Sequence, residues 1–372
     1  DVITTSLPRE KGYVLMSDIG GLNPLECGLG RSIDWNKEFV GKDALEKAKA
    51  RGIQKALVGF TTEDSTAVIE PGAEVLANGR KAGKVTVFTY GYTVKKSIGF
   101  AVVETGQARI GDQVFIKSNG RSIPARLTER TFYDPGSKRV QGETGSAPVN
   151  PVPKKQTASQ KTASDRRLDH ETVRNTVGYY DFTHKLLEVT GADAGDFLDK
   201  IFVASIAGAE IGQAKYTTML NECGQIIDDV IVFRLEEDRY WVSTLYIHEL
   251  ISWFDVHREN ESVVYKDITK TTTMYAVQGP HSLKVLNRML ETDITDQKYF
   301  TIAHNHVRQI PVWIARSGYT GELGYEIYCA PANAALIEET LESCGREYGI
   351  RKIDTDVIVT SLPREKGFVL MS

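Results

Sequence analysis

The stretch Asn221-Glu-Cys-Gly-Gln-Ile-Ile-Asp-Asp-Val-Ile-Val-Phe233 decides how the second half of the chain is read. Residues 226–233 are β-branched or aromatic apart from two adjacent aspartates, and the run Arg239-Tyr-Trp-Val-Ser-Thr244 repeats that texture after a polar turn over 235–238. Two such runs across a short polar connection predict an antiparallel hairpin. By period-2 alternation Asp229 shares a face with Ile227, Ile231 and Phe233, and Asp228 with Ile226, Val230 and Val232. At least one carboxylate therefore faces an apolar side, where it needs a hydrogen bond or a ligand to serve. The alternative is that Asn221–Gly224 is a turn and the pair merely sits at a strand end.

Working outward, strands and helices alternate. The pattern predicts strands over 185–189, 273–277, 312–316 and 324–329, and helices over 192–202 (opened by Asp193), 248–258, 281–290 and 332–348. That is an α+β arrangement with antiparallel strands, built from two copies of one βαβ-type unit. Upstream, residues 134–167 are rich in proline, glycine, small polar and basic residues and read as a flexible linker. Residues 55–132 hold about six short strands, with Asn78-Gly79 and Asn119-Gly120 as hairpin turns, and predict a small barrel or sandwich. A helix is expected over 39–51, with Ala44, Leu45 and Ala48 on one side. The first 17 residues recur as 356–372 with two changes, Thr4 to Val359 and Tyr13 to Phe368. One fold has room for one copy, so the other is redundant, frayed or swapped into a partner. The expected domains are thus 1–54 as a connecting helical segment, 55–133 as the barrel, 134–167 as the linker, 168–355 as the α+β part and 356–372 as the duplicate.

With 372 residues, two or three domains are the natural expectation. The 45 basic and 49 acidic residues leave a charge of -4, which gives no electrostatic case for nucleic acid or an anionic membrane. No apolar run approaches a membrane span, and the start has no signal-like character, so a cytoplasmic protein is expected. Cys27, Cys223, Cys329 and Cys344 are scattered without a CxxC pair, the histidines lack HExxH spacing, and His304 and His306 on one strand face read as a surface strand, so no metal site is expected. The run Gly318-Tyr-Thr-Gly-Glu-Leu-Gly324 lacks the Gly-Lys-Ser/Thr of a phosphate loop and reads as a tight loop leading to Glu326. Alternation alone makes Glu326 an exposed strand position.

Several stretches together resemble the aminomethyltransferase family, which includes the glycine-cleavage T-protein and tetrahydrofolate-dependent demethylases. They are Tyr180-Asp-Phe-Thr-His184, the segment 212–229, Ala276-Val-Gln-Gly-Pro280 and the segment 316–327, followed in the family by blocks that here come first (Ser6-Leu-Pro-Arg-Glu-Lys-Gly12, Asn23-Pro-Leu-Glu-Cys-Gly-Leu29 and the β-rich segment). The resemblance implies circularly permuted halves, with the terminal repeat at the seam. It also implies a three-lobed ring of two ferredoxin-like folate-binding lobes and a small antiparallel β-barrel, with tetrahydrofolate as cofactor. Asp229 then matches the family's key acid, expected to orient the acceptor and stabilise developing positive charge. Glu326 matches the carboxylate that grips the aminopyrimidine edge, and Tyr216, Tyr319 and Arg364 join Asp229 among the folate-binding residues.

Departures from the T-protein pattern point towards a methyl donor. Thr244 stands where the T-protein has Asn, Glu322-Leu323-Gly324 where it has Glu-Asp-Gly, and Thr4 or Val359 at its Arg, with Arg9 or Arg364 nearby. The expected activity is transfer of a methyl or aminomethyl-derived one-carbon group from a small donor to tetrahydrofolate, of demethylase type. The alternatives are glycine-cleavage-type aminomethyl transfer, or a non-catalytic folate-binding module of a larger enzyme. The repeated block also offers a homodimer by segment swapping.

Overall fold

The computed structural model describes residues 2–3, 5–64, 66–143 and 163–353. Its first elements are the short helices α1 (Ser6–Lys11) and α2 (Met16–Ile19) and the longer α3 (Lys42–Arg51). Six strands follow: β1 (Lys55–Thr62), β2 (Glu74–Ala77), β3 (Arg80–Gly91), β4 (Lys96–Glu104), β5 (Gln113–Ser118) and β6 (Arg121–Thr128). They close into a barrel in the order β1-β4-β3-β2-β5-β6 around Phe60, Val75, Ala101, Val114, Ile116 and Leu127. Its two tight hairpins are the expected ones. Asn78 and Gly79 (φ 51° and 75°) join β2 to β3, and Asn119 and Gly120 (φ 50° and 73°) join β5 to β6. Two successive positive φ values give a turn whose twist matches that of its strands.

Next come α4 (Ala163–Asn175), β7 (Gly178–Asp181), β8 (Lys185–Thr190), α5 (Ala194–Ile201), β9 (Ala214–Leu220), β10 (Ile226–Glu236), β11 (Arg239–Thr244), α6 (Ile247–His257) and β12 (Val264–Asp267). The chain continues through β13 (Thr273–Gln278), α7 (Ser282–Met289), β14 (Ile302–Val307), β15 (Ile310–Ala315), β16 (Gly324–Cys329), α8 (Ala334–Gly345) and β17 (Arg351–Lys352). One sheet runs β12-β8-β11-β10-β9 and the other β14-β15-β16-β13-β7-β17. Each unit follows the same course, β-α-β-β-β-α-β, from β8 and from β13, and β7 is inserted beside β13 in the second. Each is larger than the ferredoxin-like β-α-β-β-α-β unit expected, because a third consecutive antiparallel strand follows the first helix.

Alternation sorts the side chains into layers. Val230, Val232, Tyr240 and Val242 pack under α5 and α6, while Tyr275, Val277, Tyr325 and Ile327 pack under α7 and α8. The opposite faces meet each other: Leu186, Ala214, Phe233 and Trp241 of the first sheet against Ala276, Ile302, Ala315 and Tyr328 of the second. The mixed α/β architecture is thus helices, sheet, sheet, helices, with the barrel beside it. No helix among the described residues is long and apolar enough to cross a membrane.

Val2, Ile3 and Leu7 belong to that inter-sheet core, together with Val173, Tyr180 and Ile353. The first copy of the repeated block is therefore built in, and residues 356–372 lie outside the described residues. Of the residues expected to form a linker, 134–143 are tied into the fold and 163–167 belong to α4, while 144–162 lie outside the described residues. Asp134 takes an ion pair from Lys11 at 2.8 Å, Arg139 Nε pairs with Glu322 at 2.7 Å, Val140 is buried, and α4 begins at Ala163. The polar composition of 134–143 hid the fact that its charges have buried partners.

Arg174, near the end of α4, holds these parts together. Nη2 pairs with Glu10 at 3.1 Å and Nη1 with Glu322 at 3.0 Å, while the Leu7 and Thr320 carbonyls and Thr93 Oγ1 accept its remaining bonds. Its guanidinium lies 4.4 Å from the centre of the Tyr133 ring. Burial works to raise Glu10, but the His170 hydrogen bond and the Arg174 charge outweigh it and hold the carboxyl down at about 2. Burial pushes His170 itself down, so Arg174 is the permanent countercharge to Glu10.

Replacing Arg174 by Met strands Glu10 without a cation, and is expected to cost about 3–5 kcal/mol in urea unfolding at pH 7. Because Glu10 stays ionised down to about 2 when folded but protonates near 4.5 when unfolded, its contribution is complete above about 4.5 and fades as pH falls towards 2. A Glu10→Gln chain should show a shallower acid decline over that window.

Candidate functional site

The two sheets bring carboxylates from opposite sides into the layer between them. On β10 the alternation turns Asp229 inward with Ile231 and Phe233, while Asp228 turns back towards α5 and α6 with Val230 and Val232. On β16 the same logic turns Glu326 inward with Tyr328, between the outward Tyr325 and Ile327. Glu326 is 6% exposed, which overturns its reading as an exposed strand position. Alternation was read correctly there, but both faces of that strand are covered.

Tyr216, across the β9–β10 ladder, donates to Asp229 Oδ2 at 2.9 Å. Burial pushes Asp229 up to about 6 against that bond, so its proton comes off just below neutrality. Glu326 Oε2 accepts from Ser317 Oγ at 2.8 Å and from the Tyr328 hydroxyl at 2.9 Å. Its Oε1 accepts nothing from the described residues, and burial again raises the carboxyl. Tyr319 donates to the Val14 carbonyl at 2.5 Å and stacks on Tyr13 with centroids 5.6 Å apart, forming a wall between the loop 316–324 and the N-terminal block. That loop is glycine-dense for close approach: a Cβ on Gly318 or Gly324 would lie 2.0 or 2.2 Å from the Gln278 side chain it wraps. Arg364 lies outside the described residues. Its counterpart in the first copy, Arg9, is buried in an ion pair with Asp18.

Further polar atoms gather here that the sequence reading did not single out. Thr218, directly opposite Asp229, has a buried hydroxyl without a partner among the described residues, and so has Tyr180 beside Glu326. Arg9 Nε, Asp18 Oδ1, Arg130 Nη1 and His184 Nε2 are in the same condition. His184 Nδ1 lies 3.3 Å from Ser243 Oγ, and burial pushes the ring down to about 4, so it is neutral. Each such atom costs roughly 1–3 kcal/mol unless a water or a ligand completes it, which makes this layer a candidate site. Tyr180 and His184 sat inside a stretch that resembled the family, whereas Arg130 and Asp18 carried no sequence signal.

His304 and His306 lie on the edge strand β14, ring centroids 4.8 Å apart, away from these groups in the sheet order. Among the described residues no group of three or more His, Cys, Asp or Glu is placed to hold a metal ion.

Comparison with known proteins gives a consistent family. The model of the GCVT N-terminal domain matches residues 139–372, and that of the glycine cleavage T-protein C-terminal barrel domain matches residues 55–134. An aminomethyltransferase of Halalkalibacterium halodurans is 32% identical over 191 residues, 50% of this chain and 52% of the relative. One from Saccharopolyspora erythraea is 32% identical over 193 residues, 49% and 51% of the two chains. The chain thus spans about half the length of the curated relatives it matches. The crystal structure of glycine cleavage system aminomethyltransferase T from Bartonella henselae aligns with a TM-score of 0.44 at 26% identity, over 50% of each chain.

Tyr216→Phe removes the one side-chain donor to Asp229 among the described residues, so the carboxyl should rise further above about 6. A shift of about one unit is expected, the size of one hydrogen bond to a charged group, readable by carbon NMR of labelled aspartate.

Proposed function

The chain belongs to the glycine cleavage T-protein family, and from that premise we propose that it transfers an aminomethyl-derived one-carbon unit to tetrahydrofolate. The observation that carries this reading is the pair of inward carboxyls, Asp229 and Glu326, presented by facing sheets amid buried polar atoms with no partner among the described residues. Departures such as Thr244 turned the sequence reading towards a methyl donor. The relatives described above are named aminomethyltransferases, which favours the aminomethyl alternative.

The residues present suit a pterin. Glu326 Oε1 is open to accept an N–H edge, the rings of Tyr216 and Tyr319 offer flat walls, and Thr218, Tyr180 and Arg130 retain unused hydrogen-bonding capacity. Bound tetrahydrofolate would supply the nitrogen nucleophiles that receive the one-carbon unit. Glu326 fixes orientation through the open Oε1, while Ser317 and Tyr328 hold Oε2 in place. Asp229, ionised above about 6, sets negative charge where positive charge develops, and Tyr216 keeps that carboxylate aimed. The neighbouring Ile231 and Phe233 keep water scarce, which strengthens both effects.

The reversed order of the two family domains supports a circular permutation, as does the packing of Ile353 in one cluster with Val2 and Ile3. In this reading the barrel and the two sheeted units are the three lobes of the family arrangement.

Calorimetry with tetrahydrofolate should give clear binding to the parent chain and at least about tenfold weaker binding to Glu326→Ala, the loss of one charge-assisted contact. Asp229→Asn should retain affinity to within about threefold while turnover with an aminomethyl donor falls about a hundredfold, as for removal of a transition-state stabiliser. Equal loss of affinity and turnover in Asp229→Asn would remove its assigned role. No binding to the parent would remove the function.

A further inference from the structure

Behind Asp229 the ladder is irregular. Pairing of β10 with β9 shifts between Ile226 and Asp228, leaving Ile227 as an extra residue and setting Asp228 opposite Met219 on the helix-covered face. Such a bulge re-aims the side chains that follow it. Asp228 is 1% exposed, and its neighbours on that face are apolar, Val230 and Val232. A third valine would pack there without any polar cost, so the carboxyl needs a reason.

Its hydrogen bonds supply one. Oδ1 accepts the backbone N–H of Asp229 at 2.9 Å, and Oδ2 accepts the Thr244 hydroxyl at 2.6 Å. Thr244 Oγ1 in turn accepts the Tyr246 N–H at 2.9 Å. The titratable groups near Asp228 are Asp229 on its own strand, His248 and Glu249 on α6 and Tyr246 just before that helix, and none of them forms an ion pair with it among the described residues. Two hydrogen bonds, rather than a countercharge, therefore hold it. The same carboxyl grips the backbone from which Asp229 projects and the turn between β11 and α6.

We propose that Asp228 and Thr244 form the positioning pair that fixes the Asp229 backbone, and hence the aim of its carboxylate towards the transfer point. The proposal rests on the reading of Asp229 given above. It also explains Thr244: its hydroxyl is committed inside the protein, one bond given and one received. Burial raises Asp228 to about 7, so the two aspartates titrate as neighbours across neutrality, near 6 and 7.

The test uses the full chain with Thr244→Val, Thr244→Ser and Asp228→Asn, read in two ways. In labelled-aspartate carbon NMR of the free protein, Thr244→Val should raise the upper carboxyl midpoint by about one unit, because a bond to the charged form is lost. Thr244→Ser should leave that midpoint in place. In the transfer assay, Thr244→Val should lower kcat about tenfold with tetrahydrofolate affinity held within about threefold, the signature of misplacement rather than lost binding. Serine should restore kcat, and Asp228→Asn should remove the upper ionisation from the kcat–pH profile. A Thr244→Val chain with parental kcat, or a serine variant as impaired as the valine one, would overturn the pair. If the parent shows no transfer at all, the proposed function fails, and an unchanged carboxyl titration in Thr244→Val then overturns the pair by itself.

Discussion

A single buried guanidinium ties together the parts that line the inter-sheet layer. Arg174 uses every donor it has: two carboxylates, two carbonyls and one hydroxyl, contributed by α1, the β3–β4 connection and the loop before β16. A planar fork meets several acceptors at once, and a lysine in its place would not. Because Glu10 and Glu322 are themselves buried, the arrangement cannot loosen by degrees. Either all three charges are matched or some are stranded in a medium that cannot solvate them. The N-terminal block, the barrel and the second sheet are held in one register by that requirement, and Tyr13, Arg9 and Tyr319 stand where they do as a result.

Within the register so fixed, the layer between the sheets has two characters. It is aromatic, where Phe233, Trp241, Trp313 and Tyr328 interlock. It is also acidic, through Asp229 and through Glu326, which the Tyr328 hydroxyl itself reaches, and burial lifts both carboxyls. Such groups are expensive in an interior unless a ligand completes them. Cys27 lies close by, fully buried, with its thiol pushed up to about 12, so it acts there as a small apolar side chain rather than a nucleophile.

What the sequence revealed follows from how local each signal is. The barrel hairpins were legible because Asn-Gly favours positive φ whatever surrounds it, and the opposite faces of Asp228 and Asp229 because adjacent strand residues alternate, although alternation alone did not say which of the two turns inward. Glu326 was misread on residues alone, since period-2 logic says which face a residue takes and not whether that face is covered. The bulge at Ile227 left no trace in the sequence. Arg139 and Arg174 were invisible as structural hubs because a cation in a polar run looks solvated until its distant carboxylate is known. The ties of residues 134–143 to the fold were missed for the same reason. The commitment of Thr244 to Asp228 is a contact across strands, which only register reveals.

The inter-sheet packing has an optical consequence. Trp241 and Trp313, two of the four tryptophans, come from opposite sheets with ring centroids 5.8 Å apart at 64°. Indoles that close exchange excitation and give near-ultraviolet circular dichroism that depends on their mutual angle. An event that shifts one sheet against the other changes that angle and with it the signal. The chain thus carries an intrinsic spectroscopic gauge of its own interior, readable without a label and independent of turnover.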